Sequence, residues 1–175
     1  MTTLKTRRLD LVPLEPDAIT ELLRGDRTAA QRILRATVPS EFPTPDDLKG
    51  FLPIQLERMK QSPDRRDWLA RLMVSQSGEL VGHCGFHGPP DVIGRAEIGY
   101  TVFIPFRGQG FAKESATALV RWAFAQGEKE VFASVAPHNA PSLAVVRSLG
   151  FRQVGTQQDE VDGLELVFVL GPADH

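Results

Sequence analysis

The chain has 175 residues, 42% hydrophobic and 24% charged, which is enough apolar material for one core and too much for long-range disorder. Lys and Arg total 20 against 22 Asp and Glu, and the formal charge of -2 offers no broad basic field to a nucleic-acid backbone. A lone cysteine, Cys84, excludes an internal disulfide and a multi-thiolate metal site. With no run of about 18 apolar residues and no apolar leader after Met1-Thr2-Thr3-Leu4, a cytoplasmic protein without a membrane span is expected.

In chain order, Leu9, Leu11 and Val12 partly alternate with polar neighbours and predict a short strand that Pro13 ends. A helix follows, with Asp17 as its cap, Ile19, Leu22 and Leu23 on one face and Gly25 at its end. Residues 26–43 show no decisive period. Thr44-Pro45-Asp46-Asp47 then opens a helix through Leu48, Phe51, Leu52, Leu56 and Met59, which Pro53 should kink or divide. From Trp68 the period falls to two. Trp68, Ala70, Leu72 and Val74 share a face, Ser77-Gly78 turns the chain, and a second strand runs from Leu80 to Phe86.

The turn-rich Gly88-Pro89-Pro90-Asp91 leads to a strand over 96–104. Next, Ala116, Leu119, Val120, Ala123 and Phe124 mark the most regular helix of the chain, ended by Gly127. A strand over 131–136, a helix over 141–149 stopped by Gly150, and strands near 151–156 and 164–170 complete the order β-α-α-β-β-β-α-β-α-β-β. Neither a repeat nor a linker composition divides the chain, so a single α/β domain over 1–175 is expected.

Arg107-Gly108-Gln109-Gly110-Phe111-Ala112 lies between a strand and that regular helix. Small residues there bring several backbone N–H groups to a helix N-terminus, where a phosphate is favoured. A plain strand-to-helix turn is the competing reading. A dinucleotide fingerprint fits poorly because Lys113 takes the place of its third glycine, and no Gly-Lys-Ser/Thr ending supports a P-loop.

Arg107-x-x-Gly110-x-Ala112 after an Ala96-Glu97-Ile98-Gly99-Tyr100 strand resembles the acetyl-coenzyme A signature of the GCN5-related N-acetyltransferases (GNAT), and Asn139-x-x-Ser142 before Leu149-Gly150-Phe151 resembles that family's second motif. The opening Thr6-Arg7-Arg8-Leu9-Asp10-Leu11 is most similar to the branch containing ribosomal-protein N-terminal acetyltransferases. The resemblance spans nearly the whole chain and is weakest over 26–65. It implies a central, mostly antiparallel, splayed sheet flanked by helices. It also implies acetyl transfer from acetyl-coenzyme A to a primary amine by direct attack, in a monomer or homodimer that uses no metal.

By the same resemblance, backbone groups of Phe103 and Ile104 pair with pantetheine and polarise the thioester. The amides of Gly108, Gln109, Gly110, Phe111 and Ala112, behind Arg107 of the same signature, hold the pyrophosphate, and Lys113 either adds a charge or is a solvated helix lysine. Asn139 bonds the pantetheine arm and Ser142 lies near the sulfur; taken as residues alone, both also suit a helix start. Relatives place a tyrosine acid where Val146 stands, so either Ser142 reprotonates the thiolate or no protein acid is needed. Glu97 is the candidate base, competing with a simpler role as a partner of Arg95. His83 and His87 share a strand face and shape the acceptor side, His87 being a second candidate base, whereas Cys84 points into the core.

Phe42, Phe51 and Phe86 are expected around the acceptor, with Asp91, Asp159, Glu160 and Asp162 drawing in a cationic amine or simply solvating a loop. The acceptor expected from this set is a protein N-terminal α-amine. The alternatives are a small amine, such as an aminoglycoside or polyamine, and a coenzyme-binding regulatory module without turnover.

Overall fold

Apolar side chains on both faces of a sheet require a cover on both faces, and the helices of this chain divide to supply it. The computed structural model describes residues 2–159 and 163–172. Strands β1 (Leu4–Lys5), β2 (Leu9–Pro13), β3 (Ala70–Ser75), β4 (Leu80–Phe86) and β5 (Arg95–Val102) pair antiparallel in succession. β6 (Glu130–Val135) runs parallel to β5. Beyond it lie β8 (Gly163–Leu170) and then β7 (Arg152–Asp159), both antiparallel, giving the sheet order β1-β2-β3-β4-β5-β6-β8-β7.

The helices are α1 (Pro16–Arg24), α2 (Arg27–Leu34), α3 (Leu52–Gln61), α4 (Phe111–Ala125) and α5 (Ala140–Ser148). One core contains Leu119, Val120 and Ala123 of α4 and Leu143 and Val146 of α5, packed with Leu11, Met73, Ile98 and Phe168 from the sheet. The other joins Ile19, Leu22, Leu34, Leu52 and Met59 of the first three helices to Leu72, Leu80 and Phe103. Among the described residues no helix is long and apolar enough to cross a membrane.

Most expected elements stand where the periodicity put them, and the exceptions have local causes. β1 and α2 are additional to the predicted order. α2 lies inside 26–43, where eight residues are too few for an apolar stripe to stand out; the Asp26 side chain caps it, accepting the Ala29 N–H at 2.8 Å. Helix α1 is entered from Glu15 without a side-chain cap, so Asp17 is a first-turn acid rather than the cap.

Thr44 and Asp47 do cap reciprocally, Thr44 N–H to Asp47 Oδ2 at 2.8 Å and Asp47 N–H to Thr44 Oγ1 at 3.1 Å. Beside Pro53 the segment changes winding, so two helical pieces meet there. The turn Asp47–Phe51 winds wide, as a π-helix, and runs into α3, which leaves Pro53 in a first turn where its missing N–H is not needed. Trp68 does not share a face with Ala70 and Leu72. It ends the 3-10 turn Pro63–Trp68 and packs on Phe86 and Trp122 at ring distances of 4.8 and 4.6 Å, in the opposite core.

Val146 is fully buried, with 0% of its surface exposed. Replacing it by tyrosine, the residue the sequence resemblance implies there, is expected to overpack this core and lower unfolding stability by about 1 to 3 kcal/mol, read as a lower denaturant midpoint without a new hydroxyl function.

Candidate active site

The site begins where the sheet parts. β5 and β6 pair at Arg95↔Glu130, Ala96↔Val131 and Glu97↔Phe132. Past Glu97 the two strands separate around a cleft of about 620 Å³, walled by Gly99, Tyr100 and Thr101 on one side and Ser134 and Val135 on the other. Phe103 N–H donates to the Val81 carbonyl and His87 N–H to the Glu97 carbonyl, each at 2.9 Å. By strand alternation, residues 97, 99, 101 and 103 turn their backbone toward β4, and Tyr100 and Val102 turn theirs toward the gap.

The Phe103 N–H departs from the pantetheine-pairing expectation. Phe103 has its N–H in the sheet and its ring stacked on Phe42 at 4.8 Å. Ile104 begins the 3-10 turn Ile104–Phe106 with its side chain 71% exposed. Tyr100 lines the cleft and by the same alternation turns its backbone to it.

At the β5 end stands the glycine turn expected to cradle an anion. Gly108 and Gly110 adopt φ of 74° and 81°, a left-handed conformation that costs little only for glycine. Gly110 is the cap residue of α4, so the first amides of that helix have no intrahelical acceptor and present the positive end of the dipole. Arg107 folds back, its Nε donating to the Val102 carbonyl at 3.0 Å, and Lys113 is solvent-exposed.

The loop is braced from the opposite end of the chain. Arg8 donates Nη1 to the Gln109 carbonyl at 2.8 Å, pairs through Nε with Glu114 at 2.7 Å and lies over the Phe111 ring at 4.7 Å. Thr6 Oγ1 and the Arg8 N–H also donate to Glu114, each at 2.7 Å. Desolvation would raise the Glu114 carboxyl, but these hydrogen bonds and the Arg8 charge hold it below its ordinary value. The opening Thr6-Arg7-Arg8 signature therefore has a physical task that no local spacing discloses.

The cleft has two chemically different faces. On the α5 side, Asn139 caps its helix by accepting the Ser142 N–H at 3.2 Å, which leaves its amide hydrogens unused by the cap. Tyr100, the single tyrosine of the chain, points the same way, its hydroxyl 3.4 Å from the Ser142 carbonyl. Burial pushes the Tyr100 hydroxyl up to about 12, with the Ser142 hydrogen bond opposing, so it stays protonated at neutral pH. Sequence reading passed over this residue, and its alternation with Ala96 and Ile98 on β5 was the available signal.

On the α3 side, Glu97 accepts from Ser134 Oγ at 2.7 Å and faces His87 Nδ1 at 3.4 Å. Ser134 in turn receives Gln157 Nε2 at 2.9 Å, which also donates to Glu165. Desolvation would raise the Glu97 carboxyl; hydrogen bonds from His87 and Ser134 outweigh it and hold the group below its ordinary value. Arg95 pairs with Asp91 at 2.9 Å, so Glu97 is not its partner.

Phe51 stacks on His83 at 4.0 Å, and both rings line the cleft with Arg58 and Gln55 of α3. Burial lowers His83 to about 4, only partly opposed by Asp47, and keeps the ring neutral. Phe42 is fully buried beneath this wall and does not line the cleft, whereas Phe86 is a core residue that does line it. Glu160 and Asp162 lie outside the described residues. Among the described residues no cluster of His, Cys, Asp or Glu is arranged to hold a metal.

A family model described as an acetyltransferase (GNAT) domain matches residues 8–152. The uncharacterized N-acetyltransferase p20 of Bacillus licheniformis is 35% identical over 89 residues, covering 50% of each chain. Among solved structures, RimJ of Mycobacterium smegmatis in complex with CoA-disulfide aligns with a TM-score of 0.68 at 20% identity, covering 96% of this chain and 87% of that one. The ribosomal-protein-S5-alanine acetyltransferase of Vibrio fischeri aligns with a TM-score of 0.68 at 15% identity over 99% and 98%.

Glu97 also makes the cleft sensitive to pH. A depressed carboxyl contributes stability that is present above its unfolded value and lost as pH falls through the folded one. Ser134→Ala is expected to move the Glu97 titration upward, seen by carboxyl carbon NMR, and to cost about 1 to 3 kcal/mol near neutrality.

Proposed function

We propose, from the premise that this chain belongs to the acetyltransferase (GNAT) family, that it transfers an acetyl group from acetyl-coenzyme A to an α-amine by direct attack on the thioester. The observation that carries this reading is the parting of β5 and β6 beside the Gly108 to Gly110 cradle. A long donor with a pyrophosphate at one end and a thioester at the other suits that arrangement. The first α4 amides would take the pyrophosphate, and Asn139 and the Tyr100 and Val102 backbone the arm. An N–H directed at the thioester oxygen would stabilise the charge developing there, an effect worth about 3 kcal/mol at such sites.

The amine would enter from the α3 face. Its nitrogen bonds to the carbonyl carbon, the carbon–sulfur bond breaks, and the ammonium proton leaves toward the charge of Glu97. The departing thiolate meets the hydroxyls of Ser142 and Tyr100, the latter 3.4 Å from the Ser142 carbonyl. A thiol of ordinary pKa, about 8.5, is a tolerable leaving group with such modest help.

Two observations favour an α-amine over a polyamine or aminoglycoside. Arg58 stands in the acceptor wall and repels a polycation, and with Gln55 it offers donors to a carbonyl next to the amine. An N-terminal amine, with a reference pKa of about 7.7 to 8.0 against about 10.4 for lysine, also needs roughly 3.5 kcal/mol less for deprotonation at neutral pH. The ribosomal-protein acetyltransferase among the structural neighbours is consistent with such an acceptor.

The test mixes protein, acetyl-coenzyme A and matched acceptors while free thiol is followed: an α-amine peptide, an internal-lysine peptide, a polyamine and an aminoglycoside. The α-amine peptide is expected to be fastest, and a lysine or polyamine preference would overturn the acceptor assignment. Gly110→Val, strained at its left-handed φ and set against the Arg8 guanidinium that braces the loop, should abolish coenzyme binding by calorimetry while the protein stays folded. Ser142→Ala should slow the single-turnover step about tenfold or more with coenzyme affinity largely kept.

A further inference from the structure

Glu97 holds the negative charge of the acceptor side, but its carboxylate is not part of the cleft wall, and both of its oxygens are engaged. Oε1 takes the Ser134 hydroxyl at 2.7 Å and Oε2 faces His87 Nδ1 at 3.4 Å. The groups that do form the wall there are Ser134, His87 and Gly99. The His87 ring lies directly over Gly99. A β-carbon built on Gly99 would stand 2.5 Å from His87 Nε2, so the absent side chain is what admits the ring to the cleft floor.

The His87 side chain is 55% exposed, against 20% for Glu97. With the Nδ1 proton directed at Glu97, the neutral ring keeps its lone pair on Nε2, the nitrogen over Gly99. The charged or titratable groups around this corner are Glu97 on β5, His83 on β4, Arg58 on α3, Asp159 on β7, His138 before α5 and Glu165 on β8, the last accepting a hydrogen bond from Gln157.

We infer that His87 Nε2 is the atom that takes the proton from the attacking amine, and that Glu97 acts through His87 as a positioning residue. The inference rests on the acetyltransferase reading above. As the amine nitrogen bonds to the thioester carbon, its proton moves to Nε2 and the Nδ1 proton stays toward Glu97, so an imidazolium forms beside a carboxylate. The carbon–sulfur bond then breaks, the thiolate is protonated on the α5 side or from solvent, and the imidazolium releases its proton through its exposed edge. A carboxylate held below its usual pKa is a weak base toward an ammonium but a good partner for an imidazolium.

Single-turnover thiol release with an α-amine peptide is measured for the parent, His87→Ala, Glu97→Gln, the double variant and Gly99→Ala, each first shown to be folded by its circular dichroism and its coenzyme affinity. His87→Ala is expected to lose about a hundredfold or more in rate at unchanged coenzyme affinity and to recover part of it with added imidazole. Glu97→Gln should have little further effect in the His87→Ala background. Gly99→Ala should lower the rate with both His87 and Glu97 present.

A His87→Ala rate equal to the parent's would overturn the inference. So would an equal loss from Glu97→Gln with and without His87, since Glu97 would then act alone. A parent that binds coenzyme yet releases no thiol with any amine would overturn the acetyltransferase reading and this inference with it. The preceding outcomes occur with an active parent and sink the inference alone.

Discussion

Everything functional in this molecule depends on β5 and β6 ceasing to pair after Glu97↔Phe132. A parallel pair that continued would satisfy its own amides and leave no cleft. Because it stops, Tyr100 turns backbone into a gap that side chains enter from two sides, while the Val102 carbonyl is taken by Arg107. The separation is held open by structure on both flanks. β4 pairs with β5 as far as Val102, β8 pairs with β6 through Val135, and the α4 crossover and α5 wedge their apolar faces between the halves.

Strand alternation then assigns chemistry to faces. Even-numbered β5 residues send Ala96, Ile98 and Tyr100 toward α4 and α5, where the hydroxyls and the glycine cradle stand. Odd-numbered residues send Glu97 toward α3, where the imidazoles and Arg58 stand. A one-residue slip of β5 would exchange the two sets. The brace from Arg8 and Glu114 fixes the remaining variable, the position of the phosphate loop against β2.

Each titratable group in the interior is either kept neutral by burial or met by a partner. Burial raises Cys84 to about 12, so this thiol is an inert core group beside Ser115, opposed only in part by the Arg71 charge. Arg71, wholly buried, is lowered by desolvation and compensated by Asp67 and by the Thr2 carbonyl, with its guanidinium set 5.4 Å from the Trp122 ring centre. His83 stays neutral under Phe51. Glu97 and Glu114, by contrast, keep charge because each is met by designated donors.

Local sequence determined what depends on local physics: the hairpin at Ser77-Gly78, the long amphipathic α4, the glycine cradle at its start and the Asn139 cap of α5 are all set by residues within a few positions of one another. Glu97, Ser142, His87 and Phe51 were legible as candidates for the same reason, since a motif and its neighbours name them. Tertiary structure alone decided which groups meet. Phe103 lost its expected amide to Val81, and Phe42 went into the core instead of the wall. Tyr100 reached α5 across 42 positions and Arg8 reached Gln109 across 101. Such pairings are invisible to periodicity because they depend on strand register and on where two strands part, and neither is encoded within a single segment.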